Sequence, residues 1–178
     1  MFRTVIAAYD DDAYRIVLVL HILCAIVGFG AVTLNAFYGQ QAKQRRGREG
    51  LAITEANYLV SSIGEYFIYA VFLLGIVLVL LSDDVWDFGQ TWVWLSMLLY
   101  IAALGLSHGG LRPRVRKMIA LQRELVDGGP PPEGAAPTGP PPQVAQIEDL
   151  GKQVGMISMG LHLSLVLILV FMVFKPGA

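Results

Sequence analysis

The apolar residues of this chain do not alternate with polar ones. They run in four long blocks separated by polar or charged stretches, over residues 16–38, 58–81, 92–111 and 156–174. Each block is close to the roughly 20 residues needed to cross a hydrocarbon core. No proline interrupts any of them. In lipid every backbone N–H and C=O needs an internal partner, so each block predicts a helix. The fold class that follows is all-α, an up-down bundle of four transmembrane helices.

Each block also carries a stripe of small or polar residues at helical spacing. These are His21, Cys24 or Ala25, Gly28, Ala31 and Asn35; then Tyr58, Ser62, Glu65 and Tyr69. The third and fourth blocks carry Ser96, Tyr100, Ala103, Ser107 and Gly110, and Gly151, Gly155, Ser158 and His162. Membrane helices associate by close packing and hydrogen bonds, so the stripes are expected to face one interior seam. Gly151 and Gly155 have the GxxxG spacing of a close helix crossing.

Composition sharpens this picture. Of the 178 residues, 55% belong to the apolar set and 15% are charged. Soluble domains carry roughly 25% charged residues. Mean hydropathy is +0.58. A soluble enzyme, a nucleic-acid binder and a disordered protein are all disfavoured. The net charge of −1 gives no field to draw phosphate polymers. Cys24 is the single cysteine, so no intrachain disulfide forms.

Charge placement gives an orientation. Lys43, Arg45, Arg46 and Arg48 follow the first block, and Arg112, Arg114, Arg116, Lys117, Arg123 and Lys152 follow the third. Arg3, Arg15 and Lys175 fall on the other side, with Asp83, Asp84 and Asp87. The positive-inside rule puts the basic loops in the cytoplasm and both termini outside, in a bacterial inner membrane. The flank of the first block is acidic (Asp10, Asp11, Asp12), unlike a cleaved signal peptide. Trp86, Trp92 and Trp94 are expected at the outer interface as an aromatic belt. The cytoplasmic segment 112–150 divides in two. Residues 114–126 predict a basic amphipathic helix, with Val115, Met118, Ile119, Leu125 and Val126 on one side, lying on the inner leaflet or docking a partner. Residues 128–142 form a Pro/Gly-rich tether, and 143–155 extend the fourth helix.

The ionisable residues inside the blocks carry the chemistry. A carboxylate within a span costs several kcal/mol unless paired or protonated, so Glu65 is a functional candidate. Counted inward from the outer end at about 1.5 Å per residue, His21 lies about 8 Å down, His162 about 18 Å, His108 about 24 Å and Glu65 about 25 Å. Asn35 and Ser158 fall near 29 and 24 Å by the same approximate count. Glu65, His108, Asn35 and Ser158 therefore share a layer, with Arg112 one turn from His108. Tyr69 and His162 form a second pairing, and His21 has Tyr100 as its nearest polar neighbour in height. A register-fixing hydrogen-bond network and a proton-handling or substrate-binding site both account for that layer.

Histidines in a four-helix bundle invite a b-type haem, with His21, His108 and His162 as candidate ligands. The height differences give a bis-histidine site modest support. Cys24, Met156 and Met159 are soft ligands of the kind that favour Cu(I), at a spacing more often used for packing. No metal-ligand motif, phosphate loop, nucleophile elbow or triad is present, so no catalytic or metal residue is assigned.

The stretches IVLVLHILCAIVGFGAV, WLSMLLYIAALGLSHGGLRPRVRKM and VLILVFMVFKPG resemble an uncharacterised family of small bacterial four-span integral membrane proteins, a predicted integral membrane domain of unknown function. The resemblance covers most of the chain except the tether. More distantly, the first-span histidine, the third-span histidine and the closing KPG are similar to the copper-resistance D membrane family and to the four-span protoporphyrinogen oxidase. That resemblance implies roles for His21 and His108. The chain departs from the oxidase pattern where that pattern has an arginine and a further histidine, reading TLNAFYGQQ, and has Ser96 or Met97 in place of a lysine. Oxidase chemistry is therefore not carried over. Two functions follow as expectations. One is a membrane protein that binds a porphyrin, a metal ion or another small ligand in the seam around Glu65, His108 and His162. The other is a ligand-free structural or accessory protein of a larger membrane complex.

Overall fold

The computed structural model describes residues 11–45, 47–129 and 139–177. Arg3, Asp10, Arg46 and most of the 128–142 tether lie outside these. The described residues form α1 (Asp12–Gln44), α2 (Arg48–Leu80), α3 (Thr91–Leu106), a π-helical turn (Ser107–Leu111), α4 (Arg112–Asp127) and α5 (Pro142–Phe174). Four helical rods are long and apolar enough to cross a membrane, α3 and α4 forming one of them through the π turn. At most 17% of any apolar window is buried inside the protein. The outward surface, including Tyr66, Leu163 and Val173, therefore suits a hydrocarbon surrounding.

The rods outrun the apolar blocks. A 33-residue helix is about 50 Å long, against a hydrocarbon core of about 30 Å. The excess lies at the end rich in Lys and Arg, where the last turns of α1, the first of α2, α4 and the start of α5 stand together. The 143–155 extension of the last helix is present. Segment 114–126 is helical within α4, but it continues the third rod and packs on α5 and α2. Ile119 and Leu121 are buried there, so protein rather than a leaflet covers that side.

Local chemistry explains the ends. Asp11 caps α1 by accepting from the Ala13 amide at 2.9 Å. Only three residues separate Gln44 of α1 from Arg48 of α2. Gly47 takes φ +71°, and a Cβ on Gly50 would lie 1.9 Å from the Arg45 carbonyl oxygen, so both positions require glycine. At the opposite end Ser82 is fully buried. Its hydroxyl donates to the Val79 carbonyl at 2.7 Å and accepts from the Trp86 amide at 3.0 Å, fastening the α2–α3 turn. Lys175 then folds back, with Nζ 3.6 Å from the Trp86 ring centroid and 5.4 Å from that of Trp92. Burial pushes this ammonium below the usual lysine range.

The bundle is two tight antiparallel pairs. In the first, α1 and α2 meet through small residues. A Cβ on Gly64 would lie 2.6 Å from the Ala31 Cβ, and one on Gly28 2.9 Å from Ile68 Cγ1. In the second, the α3–α4 rod packs along α5. All four rods meet at Val71, Tyr100 and Ile168, packed with Cys24, Phe29 and Met172. The Gly28 and Ala31 positions of the expected stripe do pack closely. The GxxxG pair does not. Gly155 faces open space, and Gly151 faces only the Lys43 stem, 3.8 Å from Cε. The second helix presents two faces rather than one stripe. Ser61, Gly64 and Ile68 face α1, and Tyr58, Glu65 and Tyr69 face the third rod.

Gly64→Val is predicted to lower unfolding stability by about 1–3 kcal/mol, because the added methyls have no room against Ala31. Gly30→Val, at a position with no atom within 4 Å of a Cβ, is the control and should be near neutral. Thermal unfolding in detergent checks both, and equal effects would contradict the tight α1–α2 crossing.

Candidate functional site

Helical spacing builds the site. On α2, Tyr58, Glu65 and Tyr69 fall on one face. On the third rod His108, Arg112 and Arg116 recur every four residues, again on one face. The two rods run antiparallel, so the rows meet as a ladder. Arg116 Nε donates to the Tyr58 hydroxyl at 2.5 Å, and Arg112 Nη1 donates to Glu65 Oε2. The Arg112 guanidinium also lies over the Tyr58 ring, 5.9 Å from its centroid. One rung further, Tyr69 and His108 bond through the hydroxyl and Nε2 at 2.7 Å. Arg123 Nε donates to Glu55 Oε1 at 2.6 Å beyond the other end.

His108 sits in the π turn, a wider loop of helix of the kind common at functional sites. Its ring is held at both nitrogens. Nδ1 lies 2.8 Å from the Leu104 carbonyl oxygen. A carbonyl only accepts, so Nδ1 carries a proton. Nε2 lies 2.9 Å from Glu65 Oε1. The Tyr69 hydroxyl and Glu65 Oε1 thus converge on the same ring nitrogen. Glu65 Oε1 is buried with no hydrogen bond of its own and has this ring nitrogen as its neighbour. The Glu65 side chain is 13% exposed, and Arg112 on its other side is 27% exposed. A carboxylate at membrane depth is thus compensated by a permanent cation, with the His108 imidazole at its other oxygen.

Between the two helix pairs lies a cavity of about 1410 Å³. Its floor is the contact of Ile68, Tyr100 and Ile168, and its wall includes Asn35, Glu65, Arg112, Ser158 and His162. It extends toward the basic end, where Lys43, Arg45, Arg48 and Lys152 line it.

The structure brings together Glu65, Tyr69, His108 and Arg112. Asn35 lies in the cavity wall and accepts from Ser61 Oγ at 2.8 Å. Ser158 lines the same wall, its carbonyl 2.7 Å from His162 Nδ1. Tyr69 pairs with His108 rather than His162. Tyr100 donates to the Ile68 carbonyl at 2.8 Å, not to His21. His21 lies away from the cavity wall against Gly75, its Cε1 3.4 Å from where a Cβ would be, and its Nδ1 is buried with no hydrogen bond. Tyr58 and Arg116 complete the ladder, and the sequence reading did not place them in it. Their signal was the spacing of Tyr58 to Glu65 and of Arg116 to Arg112.

The residues do not fit a bis-histidine haem. His21 packs on α2, both His108 nitrogens are engaged, and only His162 of the three histidines lines the cavity. Cys24 packs in the apolar cluster, while Met156 and Met159 are exposed. Among the described residues no three His, Cys, Asp or Glu side chains group to hold a metal ion.

Four apolar rods joined by a polar ladder define an integral membrane protein. Its sequence matches the family described as predicted integral membrane protein (DUF2269) over residues 15–176, and the chain belongs to that family. No curated protein and no solved structure matches it.

Glu65→Ala is predicted to cost about 3 kcal/mol of unfolding stability, since it strands the Arg112 charge. Glu65→Gln keeps an acceptor for Arg112 and should cost less than half of that. Denaturant unfolding in mixed micelles separates the two, and wild-type stability in Glu65→Ala would show that the ladder bears no load.

Proposed function

We propose that this protein is a multi-pass plasma-membrane protein of a bacterium that binds a small ligand between its two helix pairs. The observation that carries the reading is the cavity of about 1410 Å³. Its apolar walls with a few convergent polar groups have the character of a ligand site rather than a packing defect. Arg112, Glu65 and His162 provide an ionic pair and an imidazole on the wall, with His162 Nδ1 fixed by Ser158 and Nε2 left for a ligand. Were the ligand a porphyrin, His162 is the histidine placed to meet it.

The distribution of Lys and Arg supports an orientation with the cavity mouth in the cytoplasm and both termini outside. A reporter fused after residue 177 should be active only in its extracytoplasmic form, and cytoplasmic activity would reverse the orientation.

A second reading is a ligand-free accessory protein of a larger membrane complex. The ladder supports it too, because its groups are matched to one another within the chain. Native mass spectrometry and an absorption spectrum of the purified protein discriminate the two. Ligand binding predicts a retained small-molecule mass that Ser158→Trp, which obstructs the cavity beside His162, removes while the fold survives. A bare, colourless chain in both forms, co-purifying with another membrane protein, would favour the accessory role.

A further inference from the structure

Taking the cavity as a ligand site, we infer that its occupant is an anionic amphiphile of the bilayer. Its carboxylate or phosphate head would rest on Lys43, Arg45, Arg48 and Lys152, and its hydrocarbon tail would reach toward Ile168. Three observations support this class.

The first is charge. Glu65 and Glu148 are the acidic residues of the cavity wall. Glu65 is occupied by Arg112 and His108, which leaves Glu148 facing four cations. None of the four makes an ion pair among the described residues. The positive-inside rule accounts for cations at this end of the bundle. It does not account for their lining a cavity from two opposing helix pairs, α1 and α2 on one side and α5 on the other.

The second is length and lining. From Lys152 to Ile168 the wall runs about 24 Å along α5, close to the roughly 20 Å of one leaflet with its head group. Deeper than the cations the wall holds Val32, Leu104, Leu161 and Leu165, which suits an alkyl chain better than a polar metabolite.

The third is access. Contacts between α1 and α5 are sparse, and at the mouth the Lys43 stem lies over Gly151. A tail can enter sideways from the bilayer through this seam. On the opposite side the α2–α4 ladder closes the wall.

The test uses delipidated protein in maltoside detergent, with oleate, oleyl alcohol and inorganic phosphate as probes and native mass spectrometry as readout. Oleate should bind at least tenfold more tightly than oleyl alcohol. Lys43→Gln combined with Lys152→Gln should weaken oleate at least tenfold and leave oleyl alcohol unchanged, and Lys43→Arg with Lys152→Arg should restore it. Equal binding of acid and alcohol, or oleate binding indifferent to the double substitution, would overturn the anionic class. If Ser158→Trp still blocked both probes, the cavity reading would stand. Phosphate binding without oleate binding would replace the amphiphile with a free oxyanion. Probe binding that Ser158→Trp leaves untouched would remove the cavity itself as the site.

Discussion

A carboxylate within a membrane span must be neutralised, and Glu65 meets that constraint by reaching across to another helix. Arg112 supplies a permanent charge on one oxygen, and the His108 ring lies 2.9 Å from the other. The consequences extend beyond the pair. Because Arg112 and His108 are four residues apart on one rod, satisfying Glu65 fixes both the rotation and the height of that rod against α2. Tyr69 and Tyr58 then fall into place on either side. The interaction thus sets register, a role for which polar groups in lipid are well suited.

Once the register is set, the shape of the interior follows. Small residues let α1 and α2 close completely on each other, and the third rod packs on α5. The four rods converge only around Val71, Tyr100 and Ile168. Elsewhere the long side chains of the ladder span the gap between α2 and the third rod, and the cavity is what remains between the pairs. The same ladder therefore serves as the join between halves and as one wall of the space they enclose.

The four spans were legible because lipid demands a long apolar run, a signal with no competitor in a chain this hydrophobic. Glu65 with His108 and Arg112 was legible because height along a helix follows from counting. What counting does not give is azimuth. His162 and Tyr69 share a height range, yet they face different neighbours, and so do His21 and Tyr100. The π turn at 107–111 was invisible because the SHGGL composition suits several helical forms, and it changes which way His108 points. The overhanging ends of α1 and α2, unlike the 143–155 extension of α5, were hidden for a related reason. Outside the hydrocarbon, packing among α4, α5 and the start of α2 sustains helix without an apolar run, and the polar sequence 48–57 gives no periodic cue of its own.

The most direct measurement is a dipolar-recoupling solid-state NMR experiment on the protein in bilayers, between labelled Glu65 Cδ and the guanidinium nitrogens of Arg112, with the His108 ring nitrogens as a second partner. The account predicts strong dephasing to both, consistent with contacts inside ~4 Å. A Glu65 carboxyl that dephases with neither and instead reports proximity to lipid acyl chains would contradict it.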